Sequence, residues 1–256
     1  MIKYWFTTII LLLFFTAGSA QCFTGREIME ESDRLPKAKT SRSFVTMTIF
    51  KDNKSVEKIF RMEMITIDDS ERRSLISFNR PSSLKLLTHS LKNKADYQWL
   101  AMSSGKVKRI TDAAKGKSFA NSHFVYEDLS VKNIDDYKYR LLGEVILDSD
   151  ICYKVECIKK GVATGQSKSI YSRTILYPRQ TDGFVKQIDF YEKAQLTKYM
   201  VNYDIRLIAG ILTPTRIVMY DAENNDKTEL ITTKAENNIN ISRAKFNREA
   251  IKYKEY

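Results

Sequence analysis

The sequence predicts a mainly β (α+β) fold, a strongly curved antiparallel sheet or partial barrel with a terminal helix available to plug it. Strand-like segments follow one another at intervals of about ten to fifteen residues. No helical pattern separates these segments, which favours antiparallel neighbours over a parallel sheet. About ten strands are expected, and a single twisted sheet of that size has to curl or close.

The first twenty residues have the three parts of a secretory signal peptide. Lys3 supplies a positive start, an apolar run follows, and small residues lead up to Ala20. The apolar run is short for a membrane span. We therefore expect residues 1–20 to be a cleaved signal peptide and residues 21–256 to form a single exported domain, in the periplasm. An uncleaved N-terminal anchor is the alternative.

The three cysteines do not suggest a disulfide framework. Cys22 follows Gln21, whereas lipidation would need a small residue at that position, so lipidation of Cys22 is not expected. Cys152 and Cys157 are five residues apart on one predicted strand. They should lie on opposite faces about 16 Å apart, which is too far for a disulfide bond.

The formal charge of +11 indicates an anionic partner. Nucleic acid, anionic lipid and an acidic protein are the three classes that such a charge attracts. Because the chain is predicted to be exported, nucleic acid is disfavoured. The basic stretch around Lys106 and Lys108 is either a solvated strand face or a patch that steers the protein to an anionic membrane or acidic partner.

Local patterns place the helices and the first strands. Thr24 and Glu27 form a capping-box pattern that predicts a helix from Gly25, ended by Pro36. A second short helix is expected over residues 242–252. Alternation places two sets of apolar residues on one strand face each: Val45, Met47 and Ile49, and Phe60, Met62 and Met64. The sequence also predicts a hairpin that turns at Ser103–Gly105, and a strand over residues 167–177.

The sequence offers no convincing catalytic, cofactor or metal constellation. His89 and His123 are the two histidines, and no zinc-ligand spacing surrounds them. Nothing orients a cysteine–histidine pair. The stretch "AAKGKS" echoes a phosphate-binding loop, but Thr111 stands where its first glycine belongs. We expect no enzyme, no cofactor and no metal site.

The segment "GKSFANSHFVYEDL", residues 116–129, combines aromatic residues with an acidic pair. Glu127 and Asp128 could be an acid–base pair, but adjacent residues on an extended chain point apart. The favoured interpretation is a structural loop anchor in which the pair contacts a nearby cation, with Arg109, Lys106 and Lys108 as candidates.

The methionines and aromatics of the alternating strands have two interpretations, which the residues alone leave open. They are either ordinary core or the lining of a cavity for acyl chains. Methionine suits a cavity that accepts variable chains because its side chain is flexible. A fourteen-carbon chain buried there would gain on the order of 10 kcal/mol, at about 0.8 kcal/mol per methylene.

The stretch from Gln98 to Leu129 resembles a sequence block of the bacterial outer-membrane lipoprotein-sorting proteins related to LolA and LolB. The segments "GREIMEESD" and "YKVECIKK" also resemble that family. The block matches at Trp99, Val107, Arg109, Ile110, Ser118, Phe119, Ser122, Phe124, Tyr126, Glu127, Asp128 and Leu129. It departs at Asn121, where the family has glycine, at His123, where it has aspartate, and after Trp99, where "LAM" replaces "YLP".

The resemblance implies a LolA-like half-open barrel covered by a few helices, with an apolar cavity, and therefore one lipid- or lipoprotein-binding domain over residues 21–256. It implies a carrier that moves acyl chains of lipids or lipoproteins towards the outer membrane without chemistry. An inner-membrane transporter and an outer-membrane acceptor are the expected partners. The alternative is a non-enzymatic accessory protein of an envelope transporter that has no lipid cargo.

Alternation and the resemblance together nominate seven lipid-binding residues. They are Phe60, Met62, Met64, Trp99, Phe119, Phe124 and Tyr126. In this hypothesis Phe119 and Phe124 pack over the cavity as part of its rim, while Glu127, Asp128 and Arg109 anchor the loop.

Overall fold

A computed structural model of the chain describes residues 23–80, 83–92 and 94–252. The predicted signal peptide and Cys22 lie outside these residues. The described strands form one antiparallel sheet of thirteen. They are β1 (Thr40–Lys51), β2 (Lys54–Asp68), β3 (Glu71–Arg80), β4 (Lys85–Leu91), β5 (Tyr97–Ala101), β6 (Val107–Ile110), β7 (Tyr137–Leu147), β8 (Asp150–Lys159), β9 (Arg173–Pro178), β10 (Val185–Glu192), β11 (Gln195–Ile208), β12 (Ile211–Asp221) and β13 (Lys227–Asn237).

The strand order makes the sheet a half-open barrel, as predicted. It runs β6-β5-β4-β3-β2-β1-β13-β12-β11-β10-β9-β8-β7. Strand β1 pairs with β13 and so joins the two halves of the chain. The edge strands β6 and β7 are not neighbours, and the loop of residues 111–136 connects them. This β6–β7 loop contains three short 3₁₀ helices, Asp112–Ala114, Tyr126–Leu129 and Ile134–Asp136.

Helix α1 (Gly25–Arg34) begins at the predicted capping box. The Thr24 amide donates to Glu27 Oε2 at 2.8 Å, and the Glu27 amide donates to Thr24 Oγ1 at 3.2 Å. These two bonds satisfy backbone donors that the first helical turn leaves free. In the described part of the chain, no helix is long and apolar enough to span a membrane.

Helix α1 packs against the inner, concave face of β7–β9. Ile28 and Met29 contact Val155 on β8 in a buried cluster. Gly25 allows the helix to start directly on the sheet, since a Cβ there would lie 2.7 Å from the Leu141 amide nitrogen. The helix therefore covers one end of the concave face.

The largest buried cluster lies on the concave face of β1–β5. It contains Val45, Met47, Ile49, Phe60, Ile76, Phe78, Leu86, Leu100, Phe119 and Tyr126. The predicted alternation of Val45, Met47 and Ile49 is confirmed, because all three are buried while their neighbours in β1 are more accessible. Phe119 and Tyr126 come from the β6–β7 loop, which therefore packs inside the sheet.

The C-terminal segment covers the outer face of β3–β5. It consists of two 3₁₀ helices, Arg243–Phe246 and Ala250–Lys252, in place of the single predicted helix. Asn247 is extended between them, with ψ near 145°. This break allows both Phe246 and Ile251 to be buried against the sheet.

The predicted placement of the two cysteines of β8 is confirmed, whereas the predicted start of β9 is wrong. Cys152 and Cys157 are free thiols buried in separate clusters, as expected for opposite faces of β8. The strand predicted over residues 167–177 starts only at Arg173. The preceding segment does not pair as a strand because the Ile170 amide donates to Glu127 Oε2 at 3.0 Å.

Candidate functional site

The β6–β7 loop brings three of the seven nominated residues into one aromatic cluster. Phe119 is 1% exposed, and its ring centroid lies 5.6 Å from Phe78 and 5.7 Å from Tyr126. Phe60 lies 5.1 Å from Phe78 on the other side. Phe60, Phe119 and Tyr126 therefore fill part of the concave face themselves.

The other four nominated residues are dispersed. Phe124 is buried in a neighbouring cluster with Phe190 and Met219. Met62 and Met64 share the strand face of Phe60, and Met62 keeps 36% of its surface exposed. Trp99 points to the outer face.

The position of Trp99 follows from the alternation of β5. Leu100 packs in the concave cluster and Gln98 reaches the β6–β7 loop, so Trp99 between them faces outwards. There its ring lies 5.0 Å from His89 and 5.9 Å from Tyr97. The structure therefore does not bring Trp99 together with the other nominated residues.

The tip of the β6–β7 loop is a tight turn. Ala120 and Asn121 have φ of 52° and 58°, and the Phe119 amide donates to the Phe124 carbonyl at 2.7 Å. Asparagine tolerates the left-handed region better than most residues. Asn121 therefore suits the position where the family block has glycine.

The acidic pair anchors the loop through partners that are distant in sequence. Asp128 Oδ2 accepts from Lys198 Nζ at 2.6 Å, and its Oδ1 accepts from the Tyr171 hydroxyl at 2.6 Å. Glu127 accepts from the Ile170 amide and the Ser169 hydroxyl. The pair thus joins the loop to β11 and to the segment before β9.

Arg109 does not take part in this anchor. Its guanidinium lies 4.8 Å from the ring of Tyr97, on the outer face. Alternation in β6 directs it away from the loop, so the predicted role of Arg109 is corrected. The inner contact from this hairpin comes from Gln98, whose amide donates to the Tyr126 carbonyl at 3.0 Å.

A pocket of about 530 Å³ lies at the open side of the sheet. Its walls come from the β4–β5 turn, the β6–β7 loop and the β8–β9 connection of residues 160–172. Seven cationic side chains line it: Lys94, Lys115, Lys132, Lys159, Lys160, Lys168 and Arg173. No local sequence pattern indicates this pocket, because its cationic side chains come from separate segments of the chain.

Most acidic residues of this pocket are engaged by other groups. Asp112 pairs with Lys115 at 3.2 Å, and Asp135 pairs with Arg26 at 2.7 Å, a hydrogen bond that lowers the pKa of Asp135. Burial raises the pKa of Asp96, against hydrogen bonds from nearby serines that lower it. The pocket therefore presents more positive than negative charge.

Lys132 lines both this pocket and a neighbouring smaller cavity. The residue is exposed along the pocket wall, while its Nζ reaches inside to 5.5 Å from the ring centroid of Phe190. Loss of solvation lowers the pKa of this ammonium, and Asp128 opposes that shift only in part. Among the described residues, Lys132 makes no ion pair or hydrogen bond through its side chain.

A smaller apolar recess of about 120 Å³ adjoins the pocket. Met29, Ile134, Tyr139 and Leu176 form its apolar part, and Ser32 and Asp33 also line it, with the Asp33 carboxylate paired to Lys37. The recess shares Lys132, Tyr137, Cys157 and Thr174 with the pocket. Burial raises the pKa of Cys157 to about 12, so the thiol is unreactive near neutral pH. A cationic pocket that opens into an apolar recess suits a ligand with one polar and one apolar end.

The described residues hold no cluster of three or more histidine, cysteine, aspartate or glutamate side chains arranged for a metal ion. The pocket and the recess supply positive charge and apolar contact to a bound molecule.

Comparison with known proteins shows which family the chain belongs to. The model of a family described as "Uncharacterized protein" matches residues 70–253. The chain belongs to that family. No curated protein sequence matches the chain.

Solved structures identify the fold of this family member as LolA-like. A DUF1329 family protein from Desulfovibrio piger has a TM-score of 0.83 at 24% identity, over 89% of this chain and 97% of that one. A putative outer-membrane lipoprotein-sorting protein domain from Vibrio parahaemolyticus has a TM-score of 0.82 at 22% identity, over 90% and 98%. A LolA superfamily protein from Nitrosomonas europaea has a TM-score of 0.66 at 18% identity, over 89% and 99%. The resemblance predicted from the sequence is confirmed.

Proposed function

We propose that this protein is a periplasmic carrier, which binds acyl chains of lipids or lipoproteins and moves them towards the outer membrane without altering them. The observation that carries this proposal is the apolar recess that opens into a pocket at the unclosed side of the LolA-like sheet. The neighbour from Vibrio parahaemolyticus, a putative outer-membrane lipoprotein-sorting protein domain, shares this fold and supports the same role.

The volume of the recess limits how much of an acyl chain it can hold. Each buried methylene contributes about 0.8 kcal/mol, and a recess of about 120 Å³ takes only a short stretch of chain. A longer chain needs the concave space that Phe119, Phe124 and Tyr126 fill. In this proposal the β6–β7 loop is the lid, and displacing it exposes the concave face to the rest of the chain.

The predicted signal peptide of residues 1–20 supports a periplasmic location for this role. An inner-membrane transporter as donor and an outer-membrane acceptor are the partners that such transport requires. A carrier also needs a reversible lid, because cargo has to leave at the acceptor.

Mass spectrometry of organic extracts from the exported, purified protein tests this proposal. We expect acyl lipid to co-purify with the wild type and to be reduced at least fivefold in Ile134→Glu, which places a charge at the recess. Ile146→Glu is the matched control, since Ile146 is 68% exposed and lines neither cavity. Folding of each variant is checked by circular dichroism. Lipid-free wild type that also takes up no fluorescent fatty acid would refute the carrier role.

One observation favours a second candidate, an accessory protein of an envelope transporter without its own cargo. The aromatic residues of the β6–β7 loop already occupy the concave face, as they would in a protein that needs no lipid there. The same extraction and uptake experiment separates the two candidates.

A further inference from the structure

The pocket beside the recess concentrates positive charge from distant parts of the chain. Lys94 comes from the β4–β5 turn, Lys132 from the β6–β7 loop, and Lys159, Lys160 and Lys168 from β8 and the segment after it. Lys159 and Lys160 donate to backbone carbonyls, of Lys168 and Asp135 respectively. A carbonyl satisfies a donor but leaves the charge uncompensated.

Two polar groups at the junction of pocket and recess lack partners within the described residues. Lys132 Nζ lies 5.5 Å from the ring centroid of Phe190 and makes no hydrogen bond or ion pair with the described residues, although Asp128 and Glu127 act on its charge from a distance. Thr174 Oγ1 is buried and makes no hydrogen bond. Both residues line the pocket and the recess. A buried polar group without a partner is costly, so the Thr174 hydroxyl points to a missing ligand. The Lys132 ammonium beside it has no ion-pair partner among the described residues and would supply a positive charge to that ligand.

We infer that the pocket binds the anionic headgroup of the carried amphiphile, a phosphate or a carboxylate, with Lys132 as its counter-ion and Thr174 as a hydrogen-bond donor. This inference rests on the proposed carrier function for the acyl end of the ligand. It adds the chemical class of the cargo, which is an anionic amphiphile.

Charge complementarity gives the site its selectivity. An oxyanion at the junction gains a charge-assisted contact with the Lys132 ammonium, which has no ion pair among the described residues. A cationic amphiphile meets repulsion from Lys132 and the lysines of the outer wall. A neutral amphiphile gains only the apolar contacts of Met29, Ile134 and Leu176.

The environment of Lys132 supports this assignment. Desolvation lowers its pKa in the free protein, and an anion beside it raises the pKa again, so binding takes up a proton at alkaline pH. As the pH rises, the affinity for the anion should therefore begin to fall at a lower pH than it would with a fully solvated lysine.

Displacement of a fluorescent fatty acid and isothermal titration calorimetry, both on the mature chain, test the inference. The probes are dodecyl phosphate, dodecanoate, the neutral monolaurin, dodecyltrimethylammonium and inorganic phosphate. We expect wild type to bind dodecyl phosphate and dodecanoate at least tenfold more tightly than monolaurin, and dodecyltrimethylammonium most weakly. Lys132→Met should reduce affinity for the two anions at least tenfold and leave monolaurin within twofold.

Two further variants sharpen the test. Thr174→Val keeps the shape and removes the hydroxyl, so it should weaken the anions selectively. Lys106→Met is the control, since Lys106 is exposed in the β5–β6 turn and lines neither cavity. It should bind every probe as the wild type does.

The outcomes separate this inference from the carrier proposal. Equal binding of neutral and anionic amphiphiles, unchanged in Lys132→Met, overturns the headgroup site and leaves the carrier standing. If inorganic phosphate binds in a manner that needs Lys132 but no amphiphile binds, the pocket is an anion site. The anion is then not a lipid headgroup, and the carrier proposal is refuted as well. No binding of any probe overturns both.

Discussion

The Asp128 carboxylate lies 2.6 Å from the Lys198 ammonium, and this ion pair fastens the β6–β7 loop to β11 across the concave side of the sheet. Both side chains are nearly buried, at 4% and 11% exposure. Asp128 also accepts from the Val125 amide and the Tyr171 hydroxyl. In a carrier with a movable lid, this contact is the latch that closes it.

Removing one partner of the latch should destabilise the protein strongly. Lys198→Met leaves a buried carboxylate without its cation, and such losses cost about 3–5 kcal/mol. We expect a decrease near 3 kcal/mol in the free energy of unfolding, measured by urea denaturation.

The double variant Asp128→Asn with Lys198→Met tests whether the two residues act as a pair. It should lose less stability than the sum of its two single variants. Glu57→Gln, an exposed position on β2, is the control and should change little. Additive losses would show that the two residues do not interact.

Much of the fold could be predicted because its signals are local. The capping box at Thr24 marks the helix start, and period-two alternation at Val45, Met47 and Ile49 marks a strand with one buried face. The segment before β9 was mispredicted because its apolar pattern is strand-like. The Glu127 carboxylate takes the Ile170 amide there, and this long-range contact leaves no trace in the local sequence.

The candidate site was harder to predict for the same physical reason. Trp99 and Arg109 were assigned by their place in a sequence block, but strand alternation turns both to the outer face. A lysine in a loop normally indicates solvated surface. The pKa of Lys132 is lowered only after folding, when the ring of Phe190 and the walls of the pocket come close to its ammonium.

Truncating Phe119, which fills part of the concave face, should both destabilise the fold and open that face. Phe119→Ala removes a ring that is 1% exposed, and such changes cost about 3–5 kcal/mol. If the loop is a lid, the variant should also bind a fluorescent fatty acid at least threefold more tightly, measured below its unfolding transition. Phe23→Ala is the control, because Phe23 is 41% exposed. Weaker fatty-acid binding by folded Phe119→Ala would indicate that the ring contacts cargo directly.

Acidification should lower the free energy of unfolding because His123 takes up a proton more readily in the unfolded chain. Burial lowers its pKa from the usual 6.5, against weaker opposite effects of Asp221 and Asp226, and its ring Nδ1 lies 2.8 Å from Thr228 Oγ1. The unfolded chain therefore binds the proton more readily than the folded protein does. This stability is fully present above pH 6.5 and is lost as the pH falls through the lowered folded pKa.

Melting temperatures at pH 7.5 and 5.0 check this prediction. The decrease between these values should be smaller in His123→Gln than in the wild type. Burial lowers the pKa of His89 in the same direction, so His89→Gln should reduce the decrease separately and the double variant most. An unchanged decrease in all three variants would assign the pH dependence to other groups.

Lys132→Met should stabilise the empty protein, which is the opposite of what a structural lysine would do. Loss of solvation lowers the pKa of this ammonium, which has no ion pair among the described residues. Removing the charge should therefore relieve a cost, and this cost is smaller than that of a fully buried charge because part of the side chain remains accessible to solvent. At a pH where both the folded and the unfolded chain carry the proton, the wild type bears this cost in full. As the pH rises from the lowered folded pKa towards about 10.4, the ordinary value, the folded protein loses the proton first and its cost disappears. The gain in Lys132→Met, measured by urea unfolding, should therefore shrink as the pH rises towards 10. A variant less stable than wild type at pH 7 would mean that Lys132 has a stabilising partner in the fold and does not await a ligand.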